Sequence, residues 1–142
     1  MVEEANNTPK LILAVDPGRD KCGLALIRSD RTIIEKAVVP ASAVGEAVAR
    51  ILHANPEAVL VMGDRTAAAE TAAALRAGLH VSPRLVDEHR STEQGRRRYF
   101  RDNPRRGWRR LLPVGLQTPP RPYDDYVAVV IAERYLDSLR VA

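Results

Sequence analysis

The chain has 142 residues and 45% of them are hydrophobic, which suits one folded domain with one core. No apolar run approaches the roughly 20 residues of a membrane helix, and a single cysteine excludes an internal disulfide and disfavours a cysteine-based zinc site. The net charge is only +4, but residues 90–121 contain ten arginines against two acidic residues. Such a concentrated arginine field predicts a surface that binds phosphate groups.

The N-terminal part predicts a short tail followed by a three-stranded meander. Residues 1–9 are polar and acidic without periodicity and predict a disordered tail, with one domain at residues 10–142. They lack the pattern of a secretory signal, so we expect a cytoplasmic protein. The apolar run at 10–15 predicts a buried central strand that ends at Asp16. Turn-forming residues separate it from apolar and β-branched stretches at 22–27 and 32–39, which predicts antiparallel pairing.

Beyond residue 40, helices and strands alternate. The predicted elements are a helix at 42–53, a strand at 58–62, a helix at 66–77 and a strand at 81–86. We expect Ser42 to cap the first helix, Gly78 to end the second, and Pro83 to place the last strand at a sheet edge. Because helices connect the first, fourth and fifth strands, these three should run parallel.

The C-terminal part predicts two helices around a long basic loop. Ser91-Thr92-Glu93-Gln94 fits a capping box at the start of a helix that runs to about residue 101. Residues 103–122 are rich in proline and arginine and predict a long ordered loop, and a final helix follows at 122–139. The whole pattern predicts an α/β fold with a central mixed five-stranded sheet and helices on both faces.

Carboxylates mark one edge of the predicted sheet. Asp16 ends the first strand and Glu88 follows the fifth, and parallel strands place such ends at the edge where α/β proteins bind ligands. Asp124 and Asp125 flank the apolar stripe of the last helix, and the helical pattern does not choose between them. Clustered carboxylates repel one another unless a cation lies between them. The sequence therefore predicts Mg²⁺ or Mn²⁺, as two ions, in a nuclease that hydrolyses phosphodiester bonds.

Nucleic acid is the predicted partner, as RNA, branched DNA or both, and the protein should be a monomer or a homodimer without membrane contact. The arginines should hold the phosphate backbone, and Trp108 either stacks on a base or docks the loop on the core. The predicted nucleic-acid-binding residues are Arg90, Arg96, Arg97, Arg105, Arg106, Trp108, Arg109 and Arg110.

Three motifs, in this order, carry a resemblance to a known family. Asp16 to Ala25 resembles the D-x-G-x(4)-G-x-A opening of the YqgF/RuvX proteins, in the RuvC-like branch of the RNase H-like superfamily. Val86 to Thr92 resembles their V-D-E-R-x-[ST]-T motif, with His89 in place of the usual arginine. Asp125 to Ala128 is similar to their closing D-x-x-A helix. The resemblance spans residues 10–140.

The resemblance implies an RNase H-like fold and a metal-dependent nuclease in maturation of the 5′ end of pre-16S rRNA, or a Holliday-junction resolvase. It implies metal ligands at Asp16, Glu88 and Asp125, and so selects Asp125, with Asp124 as a further candidate ligand. The chain departs from the family at Gly63-Asp64, where Gly-x-Pro is usual, and in its longer, more basic loop at 103–122. Both RNA and branched DNA therefore stay open as substrates.

Two other classes of protein compete with this interpretation. An actin-like or sugar-kinase ATPase uses a similar Asp-x-Gly hairpin, but such enzymes need two of these domains and 142 residues supply one. A non-catalytic nucleic-acid-binding module would have no need of the acids at positions 16, 88 and 125, all of which this chain has.

Overall fold

The computed structural model describes residues 9–65, 67–105, 107, 111 and 119–141, without the side chains at 140 and 141. Its strands are β1 (Leu11–Asp16), β2 (Lys21–Arg28), β3 (Ile33–Pro40), β4 (Val59–Gly63) and β5 (Arg84–Val86). Its α-helices are α1 (Val44–Ala54), α2 (Ala68–Leu79), α3 (Ser91–Asp102) and α4 (Asp124–Val141), and a 3₁₀ turn (Ala41–Ala43) precedes α1. The predicted tail at 1–9 and the predicted loop at 103–122 lie largely outside the described residues.

The five strands form one mixed sheet in the order β3-β2-β1-β4-β5. β1 and β2 pair antiparallel, as do β2 and β3, which confirms the predicted meander. β4 runs parallel to β1 on its other side, and β5 runs parallel to β4. The predicted parallel set and the edge position of the fifth strand are therefore confirmed. The C-terminal ends of β1, β4 and β5 meet at one edge of the sheet.

Both faces of the sheet are buried because the residues of β1 alternate between two cores. Leu13 and Val15 belong to the core that also contains Val48 of α1 and Leu75 of α2. Ile12 and Ala14 belong to the core on the opposite face, which α4 covers with residues such as Ile131. Residues 11–15 show no polar alternation because each of these side chains belongs to one of the two cores, and helices on both faces are confirmed.

The helix starts differ from the predicted caps. α1 begins at Val44 after the 3₁₀ turn, and no described side chain caps it, so the predicted cap at Ser42 is wrong. α3 does begin at Ser91, but the residue before it is Arg90 with φ of 60°, and no described side chain caps that helix either. The predicted capping box is wrong because the Ser91 backbone N–H donates to the Glu88 carbonyl, and Ser91 itself is buried within the first turn.

Other element ends shift for tertiary reasons. Gly78 does not end α2: the helix continues to Leu79, whose side chain packs against the core, and His80 takes the left-handed conformation with φ of 57°. β5 is shorter than predicted and starts after Pro83. α4 starts at Asp124 and not at Pro122. Among the described residues, no helix is both long and apolar enough to span a membrane.

Candidate active site

Two glycines of the first hairpin bring Asp124 close to Asp16. A Cβ on Gly18 would overlap the Lys21 carbonyl, so this glycine permits the tight turn after β1. Gly23 pairs with Asp16 across the sheet, and a Cβ on Gly23 would overlap the backbone carbonyl of Asp124. The first turn of α4 therefore lies directly on β2, beside the end of β1. The two glycines of the opening motif have a physical role in building this edge.

Glu88 reaches the same edge from the loop after β5. Its side chain, 8% exposed, lies against the backbone of Gly63 at the end of β4, where a Cβ would overlap the carboxylate. The backbone N–H of Arg65 donates to Glu88 Oε1 at 2.7 Å. The Glu88 backbone N–H in turn donates to Asp64 Oδ1 at 3.4 Å. Asp64 thus supports the Glu88 loop.

The electrostatics confirm how crowded this edge is. Asp16 lies within hydrogen-bonding reach of both Glu88 and Asp124. Burial, followed by the charges of Glu88 and Asp124, raises the pKa of Asp16 to about 8. Burial also raises the pKa of Glu88, against the opposing hydrogen bond from the Arg65 backbone. Without a counter-charge Asp16 and Glu88 thus hold a proton more readily than free carboxyl groups do, as expected for acids in a poorly solvated place.

The structure does not bring Asp125 into this cluster. Its carboxylate is 3% exposed and turns towards Lys36 of β3, whose Nζ lies 3.2 Å from Oδ2, and towards Arg121, whose Nη2 lies 3.4 Å from the same oxygen. The carboxylate that meets Asp16 is that of the preceding residue, Asp124. Successive residues of a helix point about 100° apart, so only one of two adjacent aspartates can face Asp16.

The donors at this edge suit a hard divalent cation. All three carboxylates supply oxygen, the ligand that Mg²⁺ prefers, and a divalent cation between them would offset the burial and charge repulsion that raise the pKa of Asp16. Among the described residues, no group of three or more His, Cys, Asp or Glu side chains is arranged to hold a metal ion by itself. Mg²⁺ does not need such a cage, since it binds through one or two carboxylates and completes its shell with water and substrate phosphate. The cluster fits that mode of binding.

Two surface clefts meet at the carboxylates, since Asp16, Thr92 and Asp124 line both of them. Each cleft also carries basic side chains. They are Lys21 and Arg121 in one cleft, and Arg65, His89 and Arg90 in the other. A phosphate backbone that lay across the acids would therefore find cations on both sides.

The predicted nucleic-acid-binding residues divide into three groups. Arg90 lines a cleft beside the carboxylates, and Arg97 is exposed on α3. Arg96 and Arg105 are half-buried, and the Arg105 guanidinium lies 5.7 Å from the centre of the Phe100 ring. The others lie outside the described residues. They are Arg106, Trp108, Arg109 and Arg110.

Sequence reasoning missed three basic residues around the carboxylates. Arg65 follows the end of β4, and the strand-end argument that found Asp16 and Glu88 could have found it too. Arg121 was visible only as one of ten arginines in a stretch. Lys36 gave no signal, because it lies in the middle of β3 and meets Asp125 only through the packing of α4 on the sheet.

Comparison with known proteins adds no assignment. No family model matches the chain, and no curated protein matches it significantly.

Proposed function

We propose that this chain is a divalent-metal-dependent nuclease that hydrolyses phosphodiester bonds of structured nucleic acid. The observation that carries the proposal is the meeting of Asp16, Glu88 and Asp124 at the edge where β1, β4 and β5 end. Three acids of like charge that lie close together destabilise a folded protein unless a cation binds between them. The basic clefts on either side supply the attraction that a polyanionic substrate needs.

The fold and the motifs support an RNase H-like nuclease of the YqgF/RuvX kind. The sheet, in the order β3-β2-β1-β4-β5, has the antiparallel meander followed by parallel strands that the sequence predicted, and it places the ends of β1, β4 and β5 together. Gly18 and Gly23 of the opening motif, and Glu88 of the second motif, all help to form the carboxylate edge. In this proposal Asp124 takes the ligand role that the motif resemblance gave to Asp125, because Asp124 lies beside Asp16. Precursor 16S rRNA and four-way DNA junctions are the two substrates that the resemblance suggests.

Some of the described residues would bind the metal ions or the phosphates, and others position those groups. Asp16 and Asp124, with Glu88, would hold Mg²⁺ or Mn²⁺, and the chemistry supplied when the ions are bound is activation of an attacking water and stabilisation of the leaving oxygen. The Arg65 backbone fixes the Glu88 carboxylate at 2.7 Å. Lys21, Arg65, Arg90 and Arg121 attract the phosphates on both sides and orient the strand across the acids.

A cleavage assay tests the proposal directly. The purified chain is incubated with Mg²⁺ or Mn²⁺ and with single-stranded RNA, a structured rRNA-precursor fragment, single-stranded DNA and a four-way junction. We expect cleavage that EDTA abolishes, and the preferred substrate separates the rRNA and junction alternatives. Tight binding with no cleavage of any substrate in Mn²⁺ would instead support a non-catalytic binding module, and ATP turnover without nucleic acid would support the ATPase.

Two substitutions locate the activity. Asp16→Asn and Glu88→Gln should each abolish cleavage and leave binding of nucleic acid intact, because losing an acid does not weaken the attraction for phosphate. The matched control is Asp137→Asn, which removes an α4 carboxylate that pairs with Arg31 away from the cluster. Cleavage at the wild-type rate by either cluster variant would show that the site is elsewhere.

A further inference from the structure

Asp125 is a buried acid that the carboxylate cluster does not use. It is 3% exposed, and its oxygens accept from Lys36 Nζ at 3.2 Å, Arg121 Nη2 at 3.4 Å and the Tyr126 backbone N–H at 3.0 Å. Both carboxylate oxygens thus already accept from donors of this chain, Oδ2 from Lys36 and Arg121 and Oδ1 from the Tyr126 backbone. Removing one partner of a buried ion pair leaves an uncompensated charge, so Asp125 and its two cations hold one another in place.

The two cations at Asp125 come from separate parts of the chain. Lys36 belongs to β3, and its ammonium also lies 4.3 Å from the centre of the Tyr126 ring. Arg121 lies at the end of the basic stretch, and its guanidinium lies 5.5 Å from the Tyr126 ring and 5.1 Å from the ring of Tyr99 in α3. Tyr99 and Tyr126 pack edge to face at 5.6 Å. We call Lys36, Tyr99, Arg121, Asp125 and Tyr126 the anchor cluster.

The anchor cluster contacts the first turn of α4, which is the turn that carries Asp124. Asp124 is the first residue of α4, and the first turn of a helix has unpaired N–H groups and frays most easily. The anchor cluster connects that turn to β3 through Lys36 and to α3 through Tyr99. It also fixes Arg121, which lines the cleft beside Asp16. One buried carboxylate thereby holds a proposed metal ligand and a proposed phosphate contact.

We propose that Asp125 is a positioning residue, which through Lys36 and Arg121 holds Asp124 against Asp16 and Arg121 in the substrate cleft. This inference rests on the proposed function, because it assigns a role within the same site. It departs from the motif comparison, which made Asp125 a ligand. A residue that acts through others should weaken metal binding when it is replaced, without removing a ligand.

The test measures Mn²⁺ binding and cleavage in three variants that each neutralise one α4 aspartate. Binding of Mn²⁺ alone is followed by the electron paramagnetic resonance signal of the free ion, and cleavage is measured over a range of Mn²⁺ concentrations. Asp124→Asn should lose cleavage at every concentration. Asp125→Asn should need about tenfold more Mn²⁺ for half-maximal binding and regain most of the wild-type kcat at saturation. Asp137→Asn should match wild type, and thermal unfolding confirms that each variant folds.

A second substitution tests the route through Lys36. In Asp125→Asn, Lys36 is a half-buried cation that has lost its carboxylate partner. Replacing Lys36 as well removes that cation. The double variant Lys36→Met/Asp125→Asn should therefore need no more Mn²⁺ than Asp125→Asn alone, whereas independent effects would multiply. If the effects of the two substitutions multiply, Asp125 does not act through Lys36.

The outcomes separate this inference from the proposed function. If Asp125→Asn matches wild type, or loses all cleavage at saturating Mn²⁺ while Asp124→Asn keeps it, the positioning role is overturned and the nuclease stands. If wild type binds Mn²⁺ without cleaving, the proposed nuclease activity is overturned. The change in the Mn²⁺ concentration for half-maximal binding then decides the role of Asp125 by itself. If wild type binds no Mn²⁺, both are overturned.

Discussion

A proton and the proposed divalent cation would compete for the carboxylate of Asp16. Burial and the neighbouring acids raise its pKa to about 8, so without metal the group is mostly protonated at neutral pH. Metal binding has to displace that proton, and Mn²⁺ affinity should therefore increase as the pH rises towards 8. The unfolded chain behaves differently, because its Asp16 titrates near the ordinary value of about 3.9.

This difference makes the metal-free protein less stable at higher pH. Between about pH 4 and 8 the folded state holds a proton on Asp16 that the unfolded state has lost, so the free energy of unfolding should fall as the pH rises, by at most about 1.4 kcal/mol per pH unit from this group. Glu88, whose pKa is also raised, acts in the same direction. Urea unfolding in EDTA at pH 5, 6, 7 and 8 measures the slope.

Asp16→Asn is the control for this slope, since asparagine stays neutral like the protonated acid. The variant should lose most of the pH dependence and be more stable than wild type at pH 8. Parallel curves for the two proteins would contradict the crowding of the carboxylates.

The sequence predicted Asp16 and Glu88 at one edge of the sheet, where the structure places them, but the helical pattern could not choose between Asp124 and Asp125. The resemblance selected Asp125, whose carboxylate faces Lys36 and Arg121 and not Asp16. Strand ends are visible in an apolar pattern, and parallel strands bring such ends together. The rotation of α4 about its axis depends on its contact with Gly23 and on the ion pair to Lys36, which are far apart in sequence. Neither contact leaves a periodic signal near residue 124.

At the scale of elements, glycines set how closely the layers approach. Gly23 admits the first turn of α4 onto β2, Gly63 admits the Glu88 side chain onto the end of β4, and Gly95 of α3 lies against Val127 of α4. In each case a Cβ would overlap the neighbour. The carboxylate edge is therefore built by close packing of backbone and not only by the acids themselves.

Gly23→Ala tests this packing. Its methyl group would displace the first turn of α4 and move Asp124 away from Asp16, so we expect a loss of about 1–3 kcal/mol in the free energy of unfolding together with reduced cleavage. The matched control is Gly45→Ala in α1, where a Cβ meets nothing within 4 Å and alanine should stabilise the helix by about 0.5–1 kcal/mol. Urea unfolding and the Mn²⁺ cleavage assay measure both. Equal effects of the two substitutions would contradict the role of Gly23.

Element types followed from the sequence more readily than element ends. β1 to β4 have apolar or β-branched stretches long enough to define them, and the alternating connections fix the strand directions. β5 has no such run, and it covers only Arg84–Val86 of the predicted 81–86. The ends of the helices depend on tertiary contacts: Leu79 extends α2 because it packs against the core, and Arg90 precedes α3 in a left-handed conformation because the Glu88 loop turns there. A local capping pattern cannot report such contacts.

At the scale of the whole molecule, the charge is divided between an acidic edge and a basic surround. The acids converge where the parallel strands end, and basic side chains line the clefts on both sides. α3 and the residue before it carry the basic surface away from the cluster, with Arg90 exposed just before the helix and Arg97 and Arg101 exposed on it. The field of the arginines would attract a polyanion, the proposed partner, whereas the acids alone would repel it.

The basic stretch should dominate the salt dependence of binding. Neutralising Arg105, Arg106, Arg109 and Arg110 together to glutamine should weaken binding of a four-way junction and flatten its dependence on salt. On duplex DNA, removing one arginine–phosphate pair lowers the slope of log K against log salt by about 0.9, so the removal of up to four pairs is measurable in a titration at several salt concentrations.

The control removes the same charge from exposed side chains at the opposite end of β1 and β2 and on α1 and α2. They are Lys10, Arg28, Arg50 and Arg76. Because Arg28 and Arg50 already pair with Asp30 and Glu35, this control should change the slope far less. Equal slopes for the two quadruple variants would show that net charge alone, and not the basic stretch, attracts the substrate.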